Sequence, residues 1–428
     1  MTAAATVRRA RPDVEIVVLE RGTRTSYAAC GIPFVVCGEV PDVETLVARS
    51  PEQFRAQGID VRLRTEATAI DLAAGTVEAH DLDADSVETF GFDRLMIGTG
   101  ARPVVLPWPG VDLPHVSVAH TLSDATRLVE LATGCADRPV AIIGGGYIGI
   151  EMAEAFLVRG ARVAILDIAD RLLQNLDPAM SQRVADAARR LGIELHLGVH
   201  VEGITETAVI AAEGEIPADI VVLALGVTPN TEFAADAGLA TGVRGAISVD
   251  DHQRTSAEGV YAAGDCCESW HRVTGRPTWI ALGTVANKAS RVAGVNLAGG
   301  DATYGGVLGT AITRLVDTEI ARTGLTVAEA TDAGFDPAAT TIEAPTRARY
   351  SPGASTMAVQ LVHDRSTRRL LGGQIVGGEG AGKRVDTIAT ALWAGLAVDE
   401  LVDLDLAYAP PFSPVWDPVN IAARQVES

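Results

Sequence analysis

The stretch PVAIIGGGYIGIEMAEAFLVRGARVAILD, residues 139–167, constrains this chain more than any other. Its apolar run at 140–143 reads as a buried strand. The run enters Gly144, Gly146 and Gly149 at G-x-G-x-x-G spacing, and a helical pattern follows on Ile150, Ala153, Phe156 and Leu157. A second apolar run, 162–166, ends on Asp167. This order describes a βαβ unit that holds a dinucleotide. Gly144 allows the tight turn, Gly146 lets a pyrophosphate approach the backbone, and Gly149 lets helix and strand pack closely. The phosphates would sit on the unpaired N–H groups of the helix start, against Gly144, Gly146, Tyr147, Ile148 and Gly149. Asp167 lies about twenty residues on, where a carboxylate takes both ribose hydroxyls and repels a 2′-phosphate. NADH is therefore expected in preference to NADPH.

The rest of the chain narrows the class. Its 428 residues suffice for two or three domains. A net charge of −20 argues against nucleic acid and anionic membrane surfaces as partners. The longest apolar stretches are broken by charges such as Glu151, Glu154 and Arg159, so no membrane span is expected. Residues 1–13 lack the apolar core of a signal peptide. Five cysteines without regular spacing suit a reducing cytoplasm. No metal site is expected, because the eight histidines are scattered and Cys266–Cys267 lack ligand spacing.

Residues 2–10 read as most of a short helix, and VEIVVLE (14–20) as a strand ending on Glu20. Together they form the second half of another dinucleotide unit, whose first strand and glycine loop are expected ahead of Met1. Further along, FDRLMIGTGARP (92–103) is a strand running into a glycine turn, and DIVVLALGVTPNT (219–231) is another. GVYAAGD (259–265) is a strand ending on an acid. Residues 281–299 and 384–396 have helical patterns, with alternating apolar patterns between them and a proline-rich tail after.

The segments TGARP, the fingerprint, LGVTPNT and VYAAGD stand in an order that resembles the FAD- and NAD(P)-dependent pyridine nucleotide–disulfide oxidoreductases, over essentially the whole chain. The resemblance implies an α/β fold. Two Rossmann-like dinucleotide-binding domains, one inserted in the other, would be followed by a C-terminal α+β dimerisation domain. The expected FAD domain is discontinuous, at 1–110 and 236–305, without its first strand and glycine loop. The NAD(P)H domain is expected at 111–235 and the dimerisation domain at 306–428. The resemblance also implies FAD contacts at Glu20, Thr99, Gly100, Gly264 and Asp265, and at Leu282, Gly283 and Thr284 opening a helix under the flavin. Gly226 and Asn230 of LGVTPNT fall at the edge of the nicotinamide domain, and Glu151 matches a family glutamate near the nicotinamide. Because Glu151 also lies in the first helical turn, the helix dipole accounts for an acid there equally well.

One cysteine selects the chemistry. In SYAACGIPFVVCG (26–38) Cys30 matches the family's nucleophile, and Cys37, seven residues on, is two helical turns away, too far for a disulfide. A single redox thiol near a helix start is expected to have a lowered pKa and to exist as thiolate. It can then hold a mixed disulfide, a persulfide or a sulfenic acid. Cys37, Cys135, Cys266 and Cys267 read as structural. The single-cysteine branch resembles coenzyme A-disulfide reductase, CoA-persulfide or polysulfide reductase, and NADH oxidase or peroxidase. The tail LDLAYAPPFSPVWDPVNIAA (404–423) resembles the CoA-disulfide reductase type.

That resemblance implies that Tyr408 and Tyr350 come from a partner subunit and donate protons to the leaving thiolate. The homodimer then completes the site, and its substrate is a small CoA-linked thiol or disulfide. Arg21 and Arg24 could meet CoA phosphates, or simply form a solvated face. Ala29 and Phe34 depart from the CoA-disulfide pattern, where Asn and Tyr are usual, and leave a CoA persulfide equally open as substrate. An oxidase or peroxidase cycling Cys30 through sulfenic acid remains a second reading. A non-enzymatic NADH-binding dimer that holds no FAD is a third.

Overall fold

A computed structural model describes residues 1–426. The fingerprint lies at the centre of a five-stranded parallel sheet. In spatial order its strands are Glu194–Leu197, Arg162–Asp167, Pro139–Ile143, Ile220–Leu223 and Val116–Val118. Both faces of this sheet are covered, which is why strands Pro139–Ile143 and Ile220–Leu223 are apolar at every position instead of alternating.

The flanking unit encloses this one in sequence. Leu95–Ile97 pairs in parallel with Val260–Ala262, so the chain leaves the first unit before the fingerprint and returns after it. The antiparallel pair Ala101–Pro103 with Val227–Pro229 ties the outgoing and returning segments together. Helix Thr2–Ala10 rests on helix Gly283–Leu297 at Gly294, where an added Cβ would lie 2.9 Å from the Ala3 carbonyl oxygen. The strand expected over 14–20 is shorter, Val17–Glu20, because its parallel partner Asp60–Leu63 offers only four residues. Among the described residues Val17–Glu20 pairs in parallel with Asp60–Leu63.

The C-terminal third is a five-stranded antiparallel sheet. Its order is Ala311–Leu315, Thr318–Gly324, Leu370–Gly377, Thr356–Asp364, Pro337–Pro345. Helices Val385–Ala394 and Pro418–Arg424 bury their apolar residues against it. A polar lock joins this sheet to the fingerprint unit. Gln374 exchanges two 2.7 Å hydrogen bonds with Asp177, and buried Arg322 donates to the Asn175 carbonyl and to Glu329. Every member is paired, which a buried polar network needs if it is not to destabilise.

Arg384 performs a similar task for the tail. Its guanidinium meets Asp417 at 2.8 Å and donates to the carbonyls of Thr346 and Phe412, each at 2.9 Å. One buried cation thus holds the hairpin leading to Tyr350 and the tail carrying Tyr408. The Ala348 amide, donating to the Pro410 carbonyl at 3.1 Å, joins the same two segments directly. Arg384→Met strands the buried Asp417 carboxylate. It is expected to cost about 3 kcal/mol, read by denaturant unfolding, and to expose residues 404–417 to limited proteolysis first.

Candidate active site

The glycines of the fingerprint divide their roles as spacing predicts. Gly144 has φ +113, and a Cβ there would fall 2.2 Å from the Ala224 carbonyl oxygen. At Gly149 a Cβ would fall 1.9 Å from the Gly144 carbonyl oxygen, so only glycine lets the helix seat this low. Gly146 has nothing within 4 Å of an added Cβ, and it caps helix Tyr147–Val158 with no side chain on the first N–H groups. The open donors and open space are what a pyrophosphate requires. Tyr147 and Ile148 begin this helix, half-buried. Asp167 closes the loop: its carboxylate accepts from the Gly145 amide at 2.6 Å and the Ala169 amide at 2.9 Å. Each oxygen keeps a lone pair for a ribose hydroxyl. Gly226, at φ +91, forms an open turn between the strands that border this unit.

The residues expected to hold a flavin nucleotide sit in the first unit. Glu20 ends its strand and accepts from the Gly22 amide at 2.6 Å. Thr99 and Gly100 are fixed by Asn230: Thr99 Oγ1 donates to the Asn230 carbonyl at 2.6 Å, and Asn230 Nδ2 donates to the Thr99 carbonyl at 3.0 Å. Asn230 therefore shapes the TGARP turn rather than only marking a domain edge. Asp265 follows Gly264 (φ +96), and Trp279 Nε1 holds the Asp265 carbonyl at 2.9 Å. Its carboxyl oxygen Oδ1 is buried without a hydrogen-bond partner, and burial raises the pKa of this carboxyl. Leu282 caps the fifteen-residue helix Gly283–Leu297 with no side chain on its first N–H groups; Gly283 and Thr284 are exposed there. An unpartnered acid, open glycines at 98, 100 and 283, and an uncapped helix start together fit FAD.

Cys30 lies in a 3₁₀ turn, Ala29–Gly31, that leads into helix Ile32–Cys37. It is the one exposed cysteine of the five, all of them free. Cys37 is half-buried and donates to the Phe34 carbonyl at 3.3 Å, while Cys135, Cys266 and Cys267 are buried, as structural cysteines should be. The expectation of a lowered Cys30 pKa is corrected. The thiol is pushed up, first by partial desolvation and then by the Glu151 and Asp265 carboxyls. The six-residue helix that follows is too short to offset two acids.

Glu151 is the fifth residue of the fingerprint helix, just past the first turn where the sequence placed it, and is half-buried. Burial raises its pKa, and Thr313 Oγ1 donates to it at 2.8 Å. Helix-dipole stabilisation of an ordinary ionised acid is therefore not its situation. Cys30, Glu151 and Asp265 come together from three distant parts of the chain. Arg21 and Arg24 do not join them: they pair with Glu66 at 3.2 Å and Glu44 at 2.5 Å on the surface. Tyr350 and Tyr408 are 78% and 48% exposed, and the tail that carries Tyr408 also exposes Phe412, Val415 and Trp416. Thr313, Asp177, Arg322 and Arg384 had no local sequence signal; each acts on a residue far along the chain.

The family model described as pyridine nucleotide-disulphide oxidoreductase matches residues 1–289, and the dimerisation-domain model of the same family matches 310–418. The chain belongs to this family. A curated relative in Pyrococcus furiosus, "NAD(P)H sulfur oxidoreductase (CoA-dependent)", is 40% identical over 99% of this chain and 96% of its own length. An "NADH oxidase" of Methanocaldococcus jannaschii is 32% identical over 99% of this chain and 95% of its own. Among solved structures, a NAD-dependent persulfide reductase from A. fulgidus superposes with a TM-score of 0.94 at 37% identity, covering 99% of this chain and 80% of that one. The α/β architecture with a separate dimerisation domain is the family's, and its cofactors are FAD and a nicotinamide dinucleotide. No helix among the described residues is long and apolar enough to cross a membrane.

Two glycine variants separate cofactor binding from folding in this oxidoreductase. Gly146→Ala is expected to leave Tm unchanged and to weaken NADH binding about tenfold or more, measured by fluorescence titration. Gly149→Ala forces its Cβ against a carbonyl and is expected to cost about 2–4 kcal/mol of stability.

Proposed function

We propose that this chain is the subunit of a homodimeric NADH-dependent flavoenzyme that reduces a CoA-linked persulfide, polysulfide or disulfide at Cys30. The observation that carries the proposal is the placing of one exposed thiol, Cys30, beside Glu151 and Asp265, where the two nucleotide units meet. The domain division that goes with it is FAD at 1–110 and 236–305, nicotinamide at 111–235, and the dimer interface at 306–428. Asp167 favours NADH, because its carboxylate already closes the loop that a 2′-phosphate would have to enter. Five free cysteines suit a reducing cytoplasm.

FAD, when bound, supplies the path by which two electrons from NADH reach sulfur. The thiolate of Cys30 attacks the outer sulfur of a CoA persulfide, or one sulfur of CoA disulfide. A new S–S bond to Cys30 forms as the substrate S–S bond breaks, and CoA leaves as its thiolate. Two electrons then cleave the Cys30 S–S bond. The Cys30 thiolate returns, with hydrosulfide released from the persulfide or a second CoA thiolate from the disulfide. Tyr408 and Tyr350, reaching in from the second subunit, are placed to protonate the leaving thiolate, a task that suits a phenol. Their exposure supports this, because the tail carrying Tyr408 also exposes Phe412, Val415 and Trp416, apolar surface of the kind a second copy would cover. A second reading, NADH oxidation with Cys30 cycling through sulfenic acid, is favoured by the similarity to the Methanocaldococcus jannaschii oxidase.

Cys30→Ser is expected to abolish reduction of CoA persulfide and CoA disulfide while NADH still bleaches the flavin. Undiminished turnover in that variant sinks the proposal. Turnover with oxygen or peroxide, and none with CoA substrates, selects the oxidase. Tyr408→Phe is expected to lower kcat about 10²-fold in a steady-state assay with either CoA substrate.

A further inference from the structure

The segment between Asp167 and helix Pro178–Arg190 has no regular secondary structure, yet it is tied down along its length. Ser181 Oγ donates to the Leu172 carbonyl at 2.6 Å. Leu173, 2% exposed, has φ +45, in the left-handed region that a leucine normally avoids. Its amide donates to the Gly145 carbonyl at 2.9 Å, and the Leu176 amide closes the turn on the Leu173 carbonyl at 2.8 Å. A backbone strained in this way persists only where its surroundings over-determine it. Part of those surroundings is the dimerisation sheet. Arg322 Nη1 donates to the Asn175 carbonyl at 2.5 Å, and Glu329 and the Gly324 carbonyl fix the same guanidinium. Gln374 accepts from the Asp177 amide and donates to the Asp177 carboxylate, each at 2.7 Å, and that carboxylate also accepts from the Val327 amide at 3.1 Å. Arg322 and Gln374 stand opposite each other on paired strands and are buried, so water cannot replace the bonds they make.

We infer that Arg322 and Gln374 are positioning residues for the nicotinamide dinucleotide of their own chain, acting through residues 168–177 on the glycine loop. The link is the peptide plane between Gly145 and Gly146. In a trans peptide the C=O and the N–H that follows it point in opposite directions. Leu173 takes the Gly145 carbonyl on one side, so the Gly146 N–H is turned to the other, beside the open space at Gly146. The Asp167 carboxylate steadies the same loop by accepting from the Gly145 amide at 2.6 Å. Once Asn175 and Asp177 are released, the left-handed turn at Leu173 loses what maintains it. The Gly145 carbonyl is then free to rotate, and the Gly146 N–H is no longer held toward a pyrophosphate. The dimerisation domain thereby sets dinucleotide affinity without touching the dinucleotide. The inference rests on dinucleotide binding at the fingerprint and does not depend on Cys30 or on its sulfur substrate.

The test is calorimetric titration of the FAD-loaded enzyme with ADP-ribose, which keeps the pyrophosphate and transfers no electrons. Arg322→Met is expected to raise its Kd about 5- to 10-fold, and Gln374→Met, which removes no charge, about 3- to 5-fold. Stopped-flow bleaching of the flavin is expected to show a matching rise in half-saturating NADH, with the limiting rate within about twofold of the natural chain. Hydrogen exchange, read by mass spectrometry, is expected to quicken across residues 168–177 in both variants. Arg384→Met is the control. It also removes a buried cation from the dimerisation domain, but one that holds Asp417, Thr346 and Phe412 instead of this segment, and its Kd for ADP-ribose is expected to stay that of the natural chain. An unchanged Kd in Arg322→Met and Gln374→Met overturns the inference. So does an equal rise in Arg384→Met, or a fall in the limiting rate with half-saturating NADH unchanged. Should Arg322→Met not fold, Gln374→Met decides the question alone.

Discussion

The close seating of Gly149 on the Gly144 carbonyl is the constraint on which the rest of this molecule depends. Without a Cβ at that point, helix Tyr147–Val158 drops onto its strand, and Ile150, Met152 and Phe156 become fully buried. One flank of the helix then meets the helix that follows Cys30, and another meets the edge strand of the dimerisation domain. Its first turn presents open N–H groups to a dinucleotide. A single rigid element therefore holds an open helix start, the backing of the thiol and the Glu151 carboxyl in one frame. The Asp177–Gln374 exchange and the hydrogen bond from Arg322 to the Asn175 carbonyl lock that frame to the dimerisation sheet. Arg384 holds the two tyrosine-bearing segments together.

The electrostatics of the site favour a thiol that is a strong nucleophile over one that is always ionised. Two carboxyls and partial desolvation raise the Cys30 pKa, which lowers the thiolate fraction at neutral pH. The intrinsic nucleophilicity of a thiolate rises with its pKa, so part of the loss is recovered in the attack itself. Burial also pushes the Glu151 carboxyl up, while the Thr313 hydroxyl that donates to it works the other way. Asp265 differs: its buried Oδ1 has no hydrogen-bond partner among the described residues.

Much of this was legible in the sequence, because the fingerprint concentrates its signal within thirty residues. Each glycine of 144, 146 and 149 does what its position in the motif demands, and Asp167 closes the loop where the spacing places it. The single exposed cysteine was legible too, from the missing second cysteine in its loop. What the sequence could not display are partnerships made across long separations. Thr313 meets Glu151 from 162 residues away, and Asn230 shapes the Thr99 turn from 131 away. The direction of the Cys30 pKa was misread for the same reason. A helix start is visible locally, but the opposing carboxyls at 151 and 265 arrive only through the fold. The strand over 14–20 was overextended because its partner's length is likewise a tertiary fact.

The most direct test of the central claim is an anaerobic NADH titration of the FAD-loaded enzyme after one equivalent of CoA persulfide has been allowed to react with the reduced protein. If Cys30 carries the sulfur, the enzyme, entering the titration with its flavin oxidised and its thiol persulfidated, takes up two pairs of electrons: the first passes on to Cys30 and releases hydrosulfide, and the second stays at the flavin. Uptake limited to the flavin, in an enzyme that still turns over CoA persulfide, would contradict the account, because the sulfur would then be reduced without passing through Cys30.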